Sequence, residues 1–177
     1  MTLNYRDTLN LPDTEFSMKA GLPRKEPEIL KFWSKTNVYE KIRKKYEGKE
    51  LFLLHDGPPY ANGAIHLGHS VNKILKDITV KSKTLQGYDA PFIPGWDCHG
   101  LPIELNVEKK HGKKSDLVKD KESFQKACKE YAQSQISDQL EDFKRLGVFG
   151  DWENSYMSLD SKFEADIIRS FGVIFDA

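Results

Sequence analysis

Residues 51–78 constrain this chain more than any other stretch, because three different patterns follow one another there without a gap. LFLLH at 51–55 is a short apolar run bounded by charge on one side and a turn sequence on the other, the pattern of a strand covered on both faces. DGPPYANG at 56–63 is too rich in Gly and Pro to continue it. Val71, Ile74, Leu75 and Ile78 then recur at i, i+3, i+4 and i+7, with Lys73, Lys76 and Lys81 off that face. This predicts an amphipathic helix with a buried apolar stripe, ended by Gly87 as a left-handed residue past its last turn. Residues 88–93 predict a second strand, kept short or at an edge by Pro91 and Pro94.

Strand, turn, helix and strand make one right-handed βαβ unit of an α/β fold. Ligands of such units bind at the carboxyl ends of the strands. DGPPYANG and the later loop PGWDCHGLPIE (94–104) both fall at those ends, so they are expected to face one mouth. Two strands leave a parallel sheet with uncovered faces and open edges, so the sheet is expected to be incomplete, half of a larger domain.

The flanking segments are predicted to be mostly helical. Residues 1–25, with Pro12, Gly21 and Pro23, read as an extended arm. Pro27 suits the first turn of a helix carrying Ile29, Phe32 and Trp33. Thr36-Asn37 weakens that pattern before Tyr39, Ile42 and Tyr46 resume it, and Gly48 ends it. Beyond Glu104, Phe124, Cys128, Ala132, Ile136, Leu140 and Phe143 form a helical stripe closed by Gly147. Ser161 and Glu164 are spaced as a capping box for a last helix with Phe163, Ile167 and Phe171. The expected division is an arm and helix over 1–50 and the α/β unit over 51–177.

Composition excludes several classes. At 177 residues the chain suits one ordinary domain. Its 27 basic and 27 acidic residues cancel, so no global field favours nucleic acid, and the lysine clusters at 41–49 and 109–121 read as solvated surface. Cys98 and Cys128 lack the spacing of a zinc site or a disulfide framework and read as reduced thiols. The first residues carry charge and no apolar core of a signal peptide, and no apolar run approaches the roughly 20 residues of a membrane span. A cytoplasmic protein is expected.

His66-Leu67-Gly68-His69 stands where the turn gives way to the helix. Unpaired N–H groups and the positive end of the helix dipole attract phosphate there, and imidazoles can donate to its oxygens. Gly68 leaves the backbone open to close approach. Such a site stabilises departing pyrophosphate by position and charge, without a protein nucleophile. Asp97, in the second loop opposite Gly57-Pro58, is a candidate for an α-ammonium group. Pro58, Pro59 and Tyr60 offer rigid apolar walls for a small hydrophobic side chain. His99 and Glu104 read as orienting the loop, Trp96 as wall or core, His55 as a strand end and His111 as exposed surface.

DGPPYANGAIHLGHSVNKILKDI, LQGYDAPFIPGWDCHGLPIE and FKRLGVFGDW strongly resemble the class I aminoacyl-tRNA synthetases, and within them the isoleucine-specific bacterial branch, over nearly the whole chain. The resemblance implies the first half of a Rossmann-like catalytic fold. It also implies ATP-dependent activation of L-isoleucine to an adenylate, with MgATP as substrate, followed by transfer to tRNA(Ile). The family's HIGH motif falls on His66, Leu67, Gly68 and His69, with Leu67 in place of Ile. Its ammonium-binding aspartate falls on Asp97 and its pocket proline on Pro58. By the same implication His66 and His69 are catalytic, Pro59, Tyr60, Asn62, Gly63, His66, Gly68 and His69 bind ATP, and Gly57, Pro58 and Asp97 bind the amino acid. The family's KMSKS motif, editing insertion, second half-fold and anticodon-binding helices are missing from this sequence. The expectation is a truncated or frameshifted fragment, inactive alone, whose partner is the missing remainder. Two alternatives stay open: a small HxGH nucleotidyltransferase, and a non-catalytic domain that binds a nucleotide or a partner chain.

Overall fold

A computed structural model describes residues 8–10, 15, 19–112 and 120–177, and most of the expected N-terminal arm lies outside them. The elements are α1 (Leu22–Lys35), α2 (Val38–Tyr46), α3 (Leu67–Leu85), β1 (Gly95–Trp96), α4 (Leu101–His111), α5 (Lys121–Arg145), β2 (Tyr156–Met157) and α6 (Ser161–Phe175).

The expected strands over 51–55 and 88–93 do not form a ladder: the two segments run parallel and meet only in two isolated bridges, Leu51 with Asp89 and, beyond both runs, Tyr60 with Asp97. At one end the Phe52 N–H donates to Asp89 O and the Asp89 N–H to Glu50 O, each at 2.9 Å. At the other, the Asp97 N–H donates to Pro59 O at 2.9 Å and the Ala61 N–H to Asp97 O at 2.7 Å. Between them lie Pro58, Pro59, Pro91 and Pro94, which have no N–H to give a ladder. There a side chain takes over, with Asp56 Oδ2 accepting the Gly95 N–H at 3.2 Å. The second segment also pairs on its far side, β1 lying parallel to β2 with Gly95 opposite Tyr156 and Trp96 opposite Met157. That third segment is too short to leave a sequence pattern.

Burial corrects two expectations. The 51–55 run is covered on one face only: Phe52 and Leu54 pack against Val80, Ala90, Phe92 and Val148, while Leu51 and Leu53 are exposed. In α3 the apolar stripe faces outward, with Val71, Leu75 and Ile78 about half exposed or more. The buried residues are Lys73, Asp77 and Val80. Periodicity locates the apolar face of a helix but does not say which face is covered. Here the charged face turns inward because each charge has a partner. Lys73 pairs with Asp56, Asp77 Oδ1 accepts the Phe149 N–H at 2.9 Å, and Lys81 bonds Asp77 and Gly147 O.

Helix boundaries differ in physically simple ways. α1 opens at Leu22, so Pro27 lies inside it, and α2 is a separate helix because Asn37 takes a left-handed conformation, φ 50°. Glu104, expected in a loop, lies in the first turn of α4. α6 has Asp160 at its N-cap, and neither Asp160 nor Ser161 makes the expected side-chain cap; Asp160 Oδ2 accepts the Met157 N–H instead. α3 ends at Gly87 as expected, with φ 102°. α5 buries Ala132, Ile136, Gln139 and Phe143, so a glutamine takes the place expected of Leu140, which is only half-buried. The main core joins Ala132, Ile136 and Phe143 to Ala61, Trp96, Cys98, Ile103 and Leu159. α1 and α2 lean on the same body, the Trp33 ring meeting Phe149 edge-on at 4.9 Å.

Candidate functional site

His66 is the N-cap of α3, in extended conformation. Its Nδ1 accepts the Gly68 N–H at 3.1 Å, and the His66 N–H donates to His69 Nδ1 at 3.2 Å. The two imidazoles therefore cap the helix reciprocally, as Ser and Glu do in a capping box, and stack with ring centroids 3.9 Å apart. An Nδ1 that accepts carries no proton, so each neutral ring has its hydrogen on Nε2. Burial, the neighbouring His66 and Lys73 together push the His69 pKa below the ordinary histidine value. A Cβ on Gly68 would sit 2.9 Å from His66 Cε1, so glycine there is what lets the cap ring fold over its own turn.

The turn leading to this pair is fastened on three sides. Pro59 is buried, and its carbonyl is held by Asp97. The Tyr60 hydroxyl donates to His99 O in the second loop. Asn62 Oδ1 accepts Asn106 Nδ2 at 2.7 Å and the Tyr131 hydroxyl at 3.0 Å, tying it to α4 and α5. Gly63, with φ 80°, donates its N–H to Gln135 Oε1, and its carbonyl accepts from Gln139 Nε2. Gly57 and Pro58 are exposed, and a Cβ on Gly57 would meet nothing within 4 Å.

Asp97 is joined to this turn through its backbone, in a parallel bridge with Tyr60. Its carboxylate is exposed, with Ser158 Oγ donating to Oδ1 at 3.4 Å. Its charge, after burial, raises the Tyr60 pKa. Trp96 beside it is core, 1 % exposed. His99 turns away toward α6, its Nε2 3.1 Å from Ser158 O and 3.4 Å from Glu164 Oε1. Glu104, with Cys98 and Cys128, lines a cavity of about 660 Å³ behind the loop. Both thiols have pKa values raised chiefly by burial. His55 is exposed and stacked on Tyr156, and His111 is exposed.

Sequence reasoning missed the supports of this site. Asp56 is 1 % exposed and binds Lys73, Lys76 and the Gly95 N–H, while its carbonyl accepts the Tyr156 hydroxyl at 2.7 Å. Burial pulls the Lys73 pKa down and outweighs the opposing pull of Asp56. The available signal was polar: a lysine next to an apolar stripe, and a glutamine in the middle of one. Among the described residues no helix is long and apolar enough to cross a membrane, and no cluster of three His, Cys, Asp or Glu is arranged to hold a metal.

Residues 28–177 match the model of the tRNA synthetases of class I (I, L, M and V). The isoleucine--tRNA ligase of Francisella philomiragia subsp. philomiragia is 59 % identical over 173 residues, 98 % of this chain and 18 % of that protein. The isoleucine--tRNA ligase of Francisella tularensis subsp. mediasiatica matches equally. The chain thus spans about a fifth of the length of these relatives. Among solved structures, a ternary complex of Agrobacterium radiobacter K84 agnB2 LeuRS with tRNA and LeuAMS shares the fold at a TM-score of 0.67 and 19 % identity, over 89 % of this chain and 18 % of that one.

Proposed function

Because this chain belongs to the class I tRNA synthetases, we propose that its two loops are the amino-acid and ATP subsites of an isoleucine-activating centre. Gly57, Pro58 and Asp97 receive L-isoleucine, its ammonium group against the Asp97 carboxylate and its side chain against Pro58. Pro59, Tyr60, Asn62, Gly63, His66, Gly68 and His69 receive MgATP, the metal arriving with the nucleotide. The isoleucine carboxylate oxygen attacks the α-phosphorus, the bond to the bridging oxygen breaks, and pyrophosphate leaves with the electron pair. The Nε2–H groups of His66 and His69 donate to phosphate oxygens whose charge grows in that step. A terminal hydroxyl of tRNA(Ile) then takes the isoleucyl group and AMP departs. Helices α1 and α2 buttress the half-fold, and the remaining length of the relatives supplies the other face of the site. The compartment this reading requires is the cytoplasm.

The observation that carries the proposal is the Tyr60–Asp97 bridge, which fastens the carboxylate loop beside the turn that leads to the histidine pair. Calorimetric titration with a non-hydrolysable isoleucyl-adenylate analogue tests it. Saturable one-to-one binding is expected, weakened at least about tenfold by Asp97→Asn, because a charge-assisted hydrogen bond contributes about 1.5–3 kcal/mol. Absence of binding, or binding indifferent to Asp97→Asn, would overturn the reading. Negligible ATP–pyrophosphate exchange is expected of the chain alone, and robust exchange that ignores isoleucine would point to a nucleotidyltransferase.

A further inference from the structure

We propose that Gln139 of α5 is a positioning residue that sets the distance between the two subsites, an inference that rests on the site reading above. Its side chain is fully buried, 0 % exposed, in the helical row otherwise made of Ala132, Ile136 and Phe143. A hydrocarbon would fill that row without the desolvation cost of an amide. The amide instead makes three hydrogen bonds, all to the two loops. Oε1 accepts the Trp96 indole N–H at 3.1 Å, next to Asp97. Nε2 donates to Tyr60 O at 3.0 Å and to Gly63 O at 2.9 Å, on the turn that leads to His66. One planar group with fixed angles thus spans from the ammonium side to the phosphate side, and both of its donor hydrogens are used.

A spacing role has a signature that simple stabilisation lacks. A ligand that fills both subsites at once gains from their correct separation, whereas a ligand confined to one subsite does not. The experiment titrates the 177-residue chain and its Gln139→Met variant with three probes: MgATP, L-isoleucine and the non-hydrolysable isoleucyl-adenylate analogue. Methionine keeps the length and volume of the side chain but none of its hydrogen bonds. Expected is a loss of about tenfold or more for the joined analogue, with each single-subsite probe within about twofold of the parent. Weakening of all three probes together, or of none, would overturn the positioning role and leave the site reading standing. A parent chain that binds none of the three would overturn both.

Circular dichroism reports whether the variant folds. Should Gln139→Met not fold, Gln139→Glu serves, since its buried carboxyl, held neutral by desolvation, keeps an acceptor for Trp96 but has a single donor for the two carbonyls Tyr60 O and Gly63 O. The same split between joined and separate probes is expected of it. Failure of both variants to fold would make Gln139 a folding residue and overturn the proposal.

Discussion

Asp56 and Lys73 form an ion pair in which neither side chain is open to solvent, their exposures being 0 % and 3 %. Asp56 ends the segment that leads into the first loop, Lys73 lies on the helix that carries the histidine pair, and the same carboxylate holds the Gly95 N–H of the second loop. Three parts of the site therefore share one charged centre.

Asp56→Ala is expected to cost about 3–5 kcal/mol, because it strands a buried ammonium and a buried N–H together. A domain of ordinary stability, about 5–15 kcal/mol, would lose a large share of it. Lys73→Met is expected to cost less, since Asp56 keeps Lys76 at 2.5 Å and the Gly95 N–H. Urea melts of the two variants check the order, and a Lys73→Met loss equal to that of Asp56→Ala would contradict it.

Gly95→Ala is expected to destabilise by about 1–3 kcal/mol, the usual cost of overpacking. A Cβ there would lie 2.2 to 2.5 Å from three atoms of the Tyr156 ring, across the β1–β2 pair. Shortening the partner in Gly95→Ala/Tyr156→Ala should make the double variant lose less than the sum of the two single changes. Additive losses in a thermal melt would count against the clash.

Acid should loosen the start of α3. The folded His69 pKa lies below the ordinary value of about 6.5, so the unfolded chain binds its proton first as pH falls. The stability that His69 contributes is present in full above about pH 6.5 and is lost as pH drops from there through the depressed folded value. Protonation also removes the Nδ1 acceptor that caps the His66 N–H. The protection factor of the His66 amide, its exchange corrected for the intrinsic effect of pH, should fall over that window in the parent and stay level in His69→Gln.

The outward stripe of α3 gives a contrast that a helical-wheel reading would reverse. Leu75→Lys or Ile78→Lys is expected to change stability by no more than about 0.5 kcal/mol, the usual range for surface positions. Val80→Ala, at a site only 4 % exposed, should cost about 1–3 kcal/mol. Analytical centrifugation of the lysine variants should show less self-association than the parent, because they break up exposed apolar surface.

The elements that depend on local chemistry were legible in the sequence. The helix after HLGH, its end at Gly87, the α5 stripe and the parallel direction of the 51–55 and 88–93 runs follow from periodicity, glycine and turn residues, although those runs meet in a single bridge rather than as strands. The resemblance to the class I synthetases rests on DGPPYANG, HLGH and PGWDCHG, and the family match agrees with it. What was not legible depends on partners distant in sequence. The inward turn of Lys73 needs Asp56, 17 residues earlier, and the burial of Gln139 needs carbonyls at Tyr60 and Gly63, over 70 residues away. The interrupted ladder depends on prolines carried by both segments, Pro58 and Pro59 in one and Pro91 and Pro94 in the other.

The reciprocal cap of His66 and His69 limits the chemistry open to them. With both Nδ1 atoms engaged in the helix start, each ring can offer an incoming group only a hydrogen, and neither can take one without undoing the cap. While the cap holds, neither ring has a free Nδ1 lone pair to act as a base. Under the proposed reading, the step that gains here is one in which oxygen becomes more negative along the path, and the reverse step draws on the same two hydrogens.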